Sequence, residues 1–302
     1  MFKSKNSMSR ALVRRETTAG YLFLLPSLFF FVTFVLYPMF LCIYTSFFDS
    51  NMGKNAVDVF VGLGNYKELF QDKLFLGALK NTVVIVVVAV PTVCAFSLWV
   101  ATAIYDMKPA LTSAFRCIFY LPVVTGSVAV TVVWKWMYNS RYGVFNYLFK
   151  SLGIIDQNIN WLGDARFALW CIILILFTTS VGQPIVLYVS ALGNVDHSLV
   201  EAAQVDGATR RQVFWKIKWA QIMPTTLYIL IITTINSFQC FALIQLLTSG
   251  GPTHSTDTIM YYIYYTAFKL YRYGYGNAMG VVLMIIIAVL SAVQFKLGQQ
   301  SD

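Results

Sequence analysis

The residues with chemistry to offer are neutral, and they sit in the most apolar parts of the chain. Between 167 and 192, Thr178, Thr179, Gly182 and Gln183 cluster beside Pro184. Between 222 and 248, Thr233, Asn236, Ser237 and Cys240 recur at i, i+3, i+4 and i+7, one face of a helix, with Gln239 and Gln245 nearby. Thr125 and Ser127 add hydroxyls within 117–138. Hydroxyls and amides exchange hydrogen bonds without burying charge, which suits a ligand rich in hydroxyl groups. The same groups bridge packed helices at about 0.6–2 kcal/mol each, so each position has two readings. Acid–base chemistry has no foothold: none of these runs holds His, Asp or Glu, which excludes an intramembrane nucleophile with its base and argues against a proton relay. Cys42, Cys94, Cys117, Cys171 and Cys240 lie in apolar runs with no C-x-x-C pair and read as small apolar fillers. His197 and His254 fall in loops on opposite sides. No catalytic residue and no metal site is expected.

The elements that must position these groups follow from composition. The chain has 302 residues, 58% hydrophobic and 12% charged, with mean hydropathy +0.66. Water-soluble domains carry about 45–50% apolar and about 25% charged residues, so this chain cannot coat a soluble domain. Apolar runs near 20 residues match the roughly 30 Å of a bilayer core. Six occur, at 21–48, 79–105, 117–138, 167–192, 222–248 and 277–297. Backbone groups in lipid must be satisfied within the segment, and no period-two alternation indicates a barrel. The expected fold is all-α and polytopic, with six transmembrane helices: a cytoplasmic N-terminal segment (1–20), a membrane domain (21–298) and a tail (299–302). Within the runs only Lys80, Lys135 and Lys296 are charged, each near an end where lysine snorkels to the headgroups. The lack of basic residues at lipid depth argues against an anionic cargo. Lys3, Lys5, Arg10, Arg14 and Arg15 against Glu16 hold the N-terminus in the cytoplasm, and six crossings return the C-terminus there. The first run is too long for a cleaved signal. No basic stripe or exposed domain supports nucleic-acid binding.

The connection 193–221 is long for a structureless link. Ser198 with Glu201, and Thr209 with Gln212, fit two capping boxes, and Asp206-Gly207 between them signals a turn. Two short helices are expected. Leu199, Ala202 and Ala203 share a face of the first; Phe214 and Ile217 share one of the second. Small exposed alanines admit close approach of another protein, and a basic helix lying on lipid is the competing reading.

Here the residues resemble a family. Glu201-Ala202-Ala203, Asp206-Gly207-Ala208, Phe214 and Ile217, with Pro224 beyond, resemble the EAA loop of ABC importer permeases. The family's Leu-Pro pair after the isoleucine is replaced by Trp219-Ala220, so the start of the fifth span should be less sharply bent. Leu247-Thr248-Ser249-Gly250-Gly251-Pro252 with Tyr262, Tyr265 and Phe268 is similar to the carbohydrate branch. So are Val61-Gly62-Leu63-Gly64-Asn65-Tyr66 with Phe70, Asp72 and Phe75, and Asn160-Trp161-Leu162. The resemblance runs from about 20 to 298. It implies a type I importer permease fold in a bacterial cytoplasmic membrane and a second permease subunit. It also implies two copies of an ATP-binding subunit and an extracytoplasmic solute-binding protein. The chain has no G-x-x-x-x-G-K-[ST], so it would be a transport subunit without an ATPase site or cofactor of its own, with ATP-Mg on the partner ATPase. Glu201, Ala202, Ala203, Asp206, Gly207, Ala208, Phe214 and Ile217 would couple to that ATPase. Ser127, Thr178, Gly182, Thr233, Asn236 and Ser237 match positions that relatives of the maltose type use for substrate; Gln183 and Gln239 join them as neighbouring amides. The cargo implied is a sugar or oligosaccharide. The alternatives are another solute, such as glycerol phosphate or an amino acid, or a membrane scaffold.

Overall fold

The computed structural model describes residues 3–50 and 58–299. Residues 300–302, most of the expected tail, lie outside the described residues. Helix α1 (Lys3–Phe31) passes without a break at residue 20 through a π-helical turn (Val32–Leu36) into α2 (Tyr37–Thr45). From Ala19 onward this rod is apolar nearly all round, as a helix facing lipid on most sides must be, and only α2 packs substantially on the rest. A short antiparallel hairpin, β1 (Phe48–Asp49) with β2 (Val59–Phe60), and helix α3 (Gly64–Gln71) lead to α4 (Lys73–Ile104). Asp72 caps α4 by accepting from the Leu74 backbone N–H at 2.8 Å.

The third apolar run departs from expectation. Instead of one helix over 117–138 there are two, α5 (Pro109–Val124) and α6 (Ser127–Met137), bent by 94°. Thr125 and Gly126 are extended, and Pro122 removes one backbone donor just before them, so the helix ends there. Pro109 opens α5 at its first position, where a missing N–H costs nothing. The helix therefore begins eight residues before the apolar run and takes in Arg116, a basic residue that the run boundaries placed outside the membrane.

Helix α7 (Val144–Ser151) lies in the following loop. The fourth run is α8 (Ala168–Ser180) and α9 (Gly182–Gly193), one span broken at Val181. Then come α10 (His197–Val205) and α11 (Arg210–Val213). The second is not a separate short helix. It continues through a π-helical turn (Phe214–Lys218) into α12 (Trp219–Phe238), as the absence of a proline at 219–220 allows. The fifth run breaks again after Phe238, before α13 (Ala242–Leu247), so Cys240 is not on the helical face expected of it. Helix α14 (Ile259–Tyr264), a π-helical turn (Tyr265–Lys269) and α15 (Tyr273–Gln299) complete the fold. Among the described residues, five helical stretches are long and apolar enough to cross a membrane, and six if the bent α5–α6 pair is one span.

Helix α4 is central, packed on α9 and α12, with α12 on α15 and α5 on α9. Ala101, Ile185, Ile222 and Ile229 are fully enclosed among these helices. Polar clamps close one end of the bundle. The Asp72 carboxylate accepts from the Tyr262 hydroxyl at 2.7 Å and from Tyr275 at 2.9 Å. Arg272 grips Glu68 through two 2.7 Å hydrogen bonds. Asn65 donates to the carbonyls of Ser46 and Phe48 at 2.8 and 2.9 Å. Asn146 accepts from the Trp161 indole at 3.0 Å.

Candidate functional site

Two concavities carry the residues singled out in the sequence. The first is a cleft of about 160 Å³ among α5, the α8–α9 junction and α12, where Gln183, Thr233 and Asn236 converge with Thr179, Ser180 and Val123. Pro184, Leu187, Ile229 and Ile232 form its apolar walls. Gln183 and Asn236 are exposed. Two side-chain amides therefore face open space from different helices, and each offers donors and an acceptor.

The other five candidates do not line this cleft. Gly182 is buried where α9 meets α5: a Cβ there would lie 2.4 Å from the Phe119 carbonyl oxygen and 3.0 Å from the Tyr120 Cα. Its role is close helix approach, as small residues serve in membranes. Ser237 is 1% exposed, inside the bundle. Thr178 donates to the Ile175 carbonyl of its own helix at 2.8 Å. Ser127 is exposed at the start of α6 beyond the bend, and Gln239 is exposed where α12 ends. Ser180 and the apolar walls were missed, since apolar side chains beside a cleft carry no pattern that sets them apart from core.

The second concavity, about 330 Å³, lies between α10 and α11 and is lined by Ala203, Asp206, Gly207, Ala208, Gln212, Val213, Lys216 and Ile217. Gly207 has φ +80°, a conformation that strains any residue with a Cβ, while the space beside it is open. Glycine is needed there for the turn and not for room. Glu201 and Ala202 are exposed on α10, beside Leu199 and Val205, which is 87% exposed. Phe214 differs from the other seven coupling candidates. It packs inward on the core shared by α4, α9 and α12 and is no part of an outward docking face.

Local chemistry fixes this segment. The Thr209–Gln212 capping box forms: the Thr209 N–H donates to Gln212 Oε1 at 2.8 Å, and the Gln212 N–H returns to Thr209 Oγ1 at 3.4 Å. The Ser198–Glu201 box does not. Asp196 caps α10 instead, accepting from the Ser198 N–H at 2.8 Å and hydroxyl at 2.7 Å. A carboxylate two positions earlier outcompetes a serine for the same orphan donors. Those bonds hold the Asp196 carboxyl below the usual range. The segment is tied to the bundle at two points. The Asp196 N–H donates to Gln221 Oε1 at 3.0 Å, and Lys218 meets Tyr105 at the end of α4, its ammonium 4.4 Å from the ring centroid.

The fold and these two sites together define a class, a polytopic permease with a polar intramembrane cleft and a protruding helical handle. Residues 59–299 match the family described as binding-protein-dependent transport system inner membrane component, and the chain belongs to that family. It is 32% identical to the lactose transport system permease protein LacF of Rhizobium radiobacter, over 94% of this chain and 95% of that one. It is equally 32% identical to the multiple sugar-binding transport system permease protein MsmF of Streptococcus mutans, over 94% and 96%. Its fold is similar to a chain of a bacterial ABC transporter involved in import of the acidic polysaccharide alginate, with TM-score 0.82, 23% identity and coverage of 97% and 99%.

Proposed function

We propose that the chain is one of two permease subunits of an ATP-driven importer for a sugar or oligosaccharide. The observation that carries this reading is the pairing of a neutral amide-and-hydroxyl cleft inside the bundle with an exposed handle outside it. Gln183, Thr233 and Asn236 hydrogen-bond sugar hydroxyls as cargo passes. The named cargoes of the lactose and multiple-sugar relatives support that class. Helix α10 and the turn at Gly207 dock in a groove of the ATP-binding subunit, a helix-in-groove contact in which Glu201 meets a donor and the alanines set the distance. ATP-Mg is held by that partner. Its two copies engage one handle on each permease, and closing them moves both. Because α11 runs directly into α12, the displacement reaches Thr233 and Asn236 on the same helix. ATP then favours one orientation of the cleft over the other, which is what pumping requires. A solute-binding protein delivers cargo at the outer side, where α3, α7 and the clamp at Asp72 lie. In this arrangement both termini and α10–α11 are cytoplasmic. The test is reconstitution of the chain in proteoliposomes with a second permease, ATPase and binding protein. ATP-dependent accumulation of a labelled sugar that disappears when this chain is omitted is expected; accumulation without it, or without ATP, refutes the reading.

A further inference from the structure

Arg116 has no place in the mechanism so far. On α5 the residues turned into the bundle are Thr112, Arg116, Phe119 and Val123, at i, i+4, i+7 and i+11, while Ser113, Ala114, Phe115, Cys117 and Ile118 between them are exposed. Arg116 is therefore on the packed stripe and not on the lipid side. Its Nε is buried with no hydrogen-bond partner. Lys80, an equal seven residues into its own helix, is exposed, as a snorkelling side chain should be. A guanidinium on an inward stripe of a membrane helix is costly and marks an ion or substrate path.

Its position relative to the cleft can be fixed. Val123, which lines the cleft, is two helical turns along the same stripe, about 10 Å at 1.5 Å per residue. Thr112 donates to the Ile104 carbonyl at 2.9 Å, so the start of α5 lies beside the end of α4. Lys218 meets Tyr105 there, and Gln221 meets Asp196, just after α9 ends. Helices α5 and α9 are thus antiparallel, and the cleft, in passing from Thr179 at the end of α8 to Leu187 on α9, descends toward Arg116.

Resting on the sugar reading above, we propose that Arg116 is a specificity-determining residue at the inner end of this path, where it pairs with an oxyanion on the cargo. The cargo class it selects is an acidic saccharide bearing carboxylate. Neutral groups at Gln183, Thr233 and Asn236 take the sugar hydroxyls, and the guanidinium takes the acid through a charge-assisted, bidentate bond.

The test uses the whole importer in nanodiscs, with wild type, R116Q and R116K titrated with digalacturonate and with neutral digalactoside. Digalacturonate binding is expected to weaken at least tenfold in R116Q and by less in R116K, with digalactoside unchanged in both. Equal digalacturonate binding by wild type and R116Q overturns the proposal. So does an R116Q defect that appears only in anionic-lipid nanodiscs, which would make a lipid phosphate the partner. Binding of digalactoside alone overturns the proposal and leaves the sugar reading intact, whereas binding of neither sugar overturns both.

Discussion

The two ends of this bundle treat their motifs in opposite ways. At the Asp72 end, polar residues in and beside the motifs satisfy one another: Asp72 with Tyr262 and Tyr275, Glu68 with Arg272, and Asn65 with the backbone at Ser46 and Phe48. At the α10–α11 end, Glu201, Ala202, Asp206 and Gly207 are exposed around an open concavity, and the bonds that do form there are caps that shape the helices. A short motif in a membrane protein can thus mean two things. Where its polar groups close on each other it holds the fold. Where they stay open to solvent they are free to meet a partner, as the proposed ATP-binding subunit would require.

That contrast can be broken experimentally, beginning with the largest effect. Gly182→Leu pushes a side chain into the α5 backbone, and we expect a loss above about 3 kcal/mol, the upper end of overpacking costs. Detergent-solubilised protein should melt early or fail to accumulate; an unchanged melting temperature would show that α5 and α9 can separate freely. Asp72→Ala strips two tyrosine hydroxyls of their acceptor, at about 2–3 kcal/mol for charge-assisted bonds. Uptake per folded molecule should survive. Glu201→Ala should do the reverse: an unaltered melting curve with ATP-driven uptake reduced about tenfold, equivalent to about 1.4 kcal/mol. A variant that melts early instead would place Glu201 with the fold-holding motifs. Asn236→Ala should alter the ratio of sugars taken up by a few fold, read from competition between labelled substrates, while assembly is preserved.

The smallest effect concerns pH. Burial raises the Asp72 carboxyl, but the Tyr262 and Tyr275 hydroxyls and the helix-cap N–H groups outweigh it and leave it below its ordinary value. A depressed carboxyl adds stability that is complete above the unfolded value and is lost as pH falls through the folded one. Melting temperature measured downward from pH 5 should therefore fall more steeply in wild type than in Asp72→Asn. Parallel slopes would remove Asp72 from the clamp.

Hydropathy located the spans because length and apolarity are what a bilayer selects. It missed the 94° bend at Thr125-Gly126, since a running average carries no direction; Pro122 and Gly126 were the local signal. It also missed Arg116, because the apolar run begins one residue after it while the helix begins at Pro109. The handle was readable from its turn glycine and its Thr209–Gln212 cap, which are local chemistry. The cleft was readable in Gln183, Thr233 and Asn236, and in Thr179 beside them. Hydroxyls such as Thr178 and Ser237 look identical in sequence whether they face a cavity or a neighbouring helix, and only tertiary packing decides.

The uninterrupted path from Arg210 through the π-helical turn to Phe238 has a mechanical consequence. Twenty-nine residues at 1.5 Å each make a rod of about 43 Å, on which a 10° tilt at one tip sweeps the other by about 7.5 Å. The π-helical turn and Pro224 are the points along it where regular α-helical bonding is interrupted, so misalignment has few places to be absorbed. In the importer proposed above, the motor and the gate it drives must keep time stroke for stroke, and slack inserted along that length, a glycine pair for instance, should let the engine idle while the gate stands still.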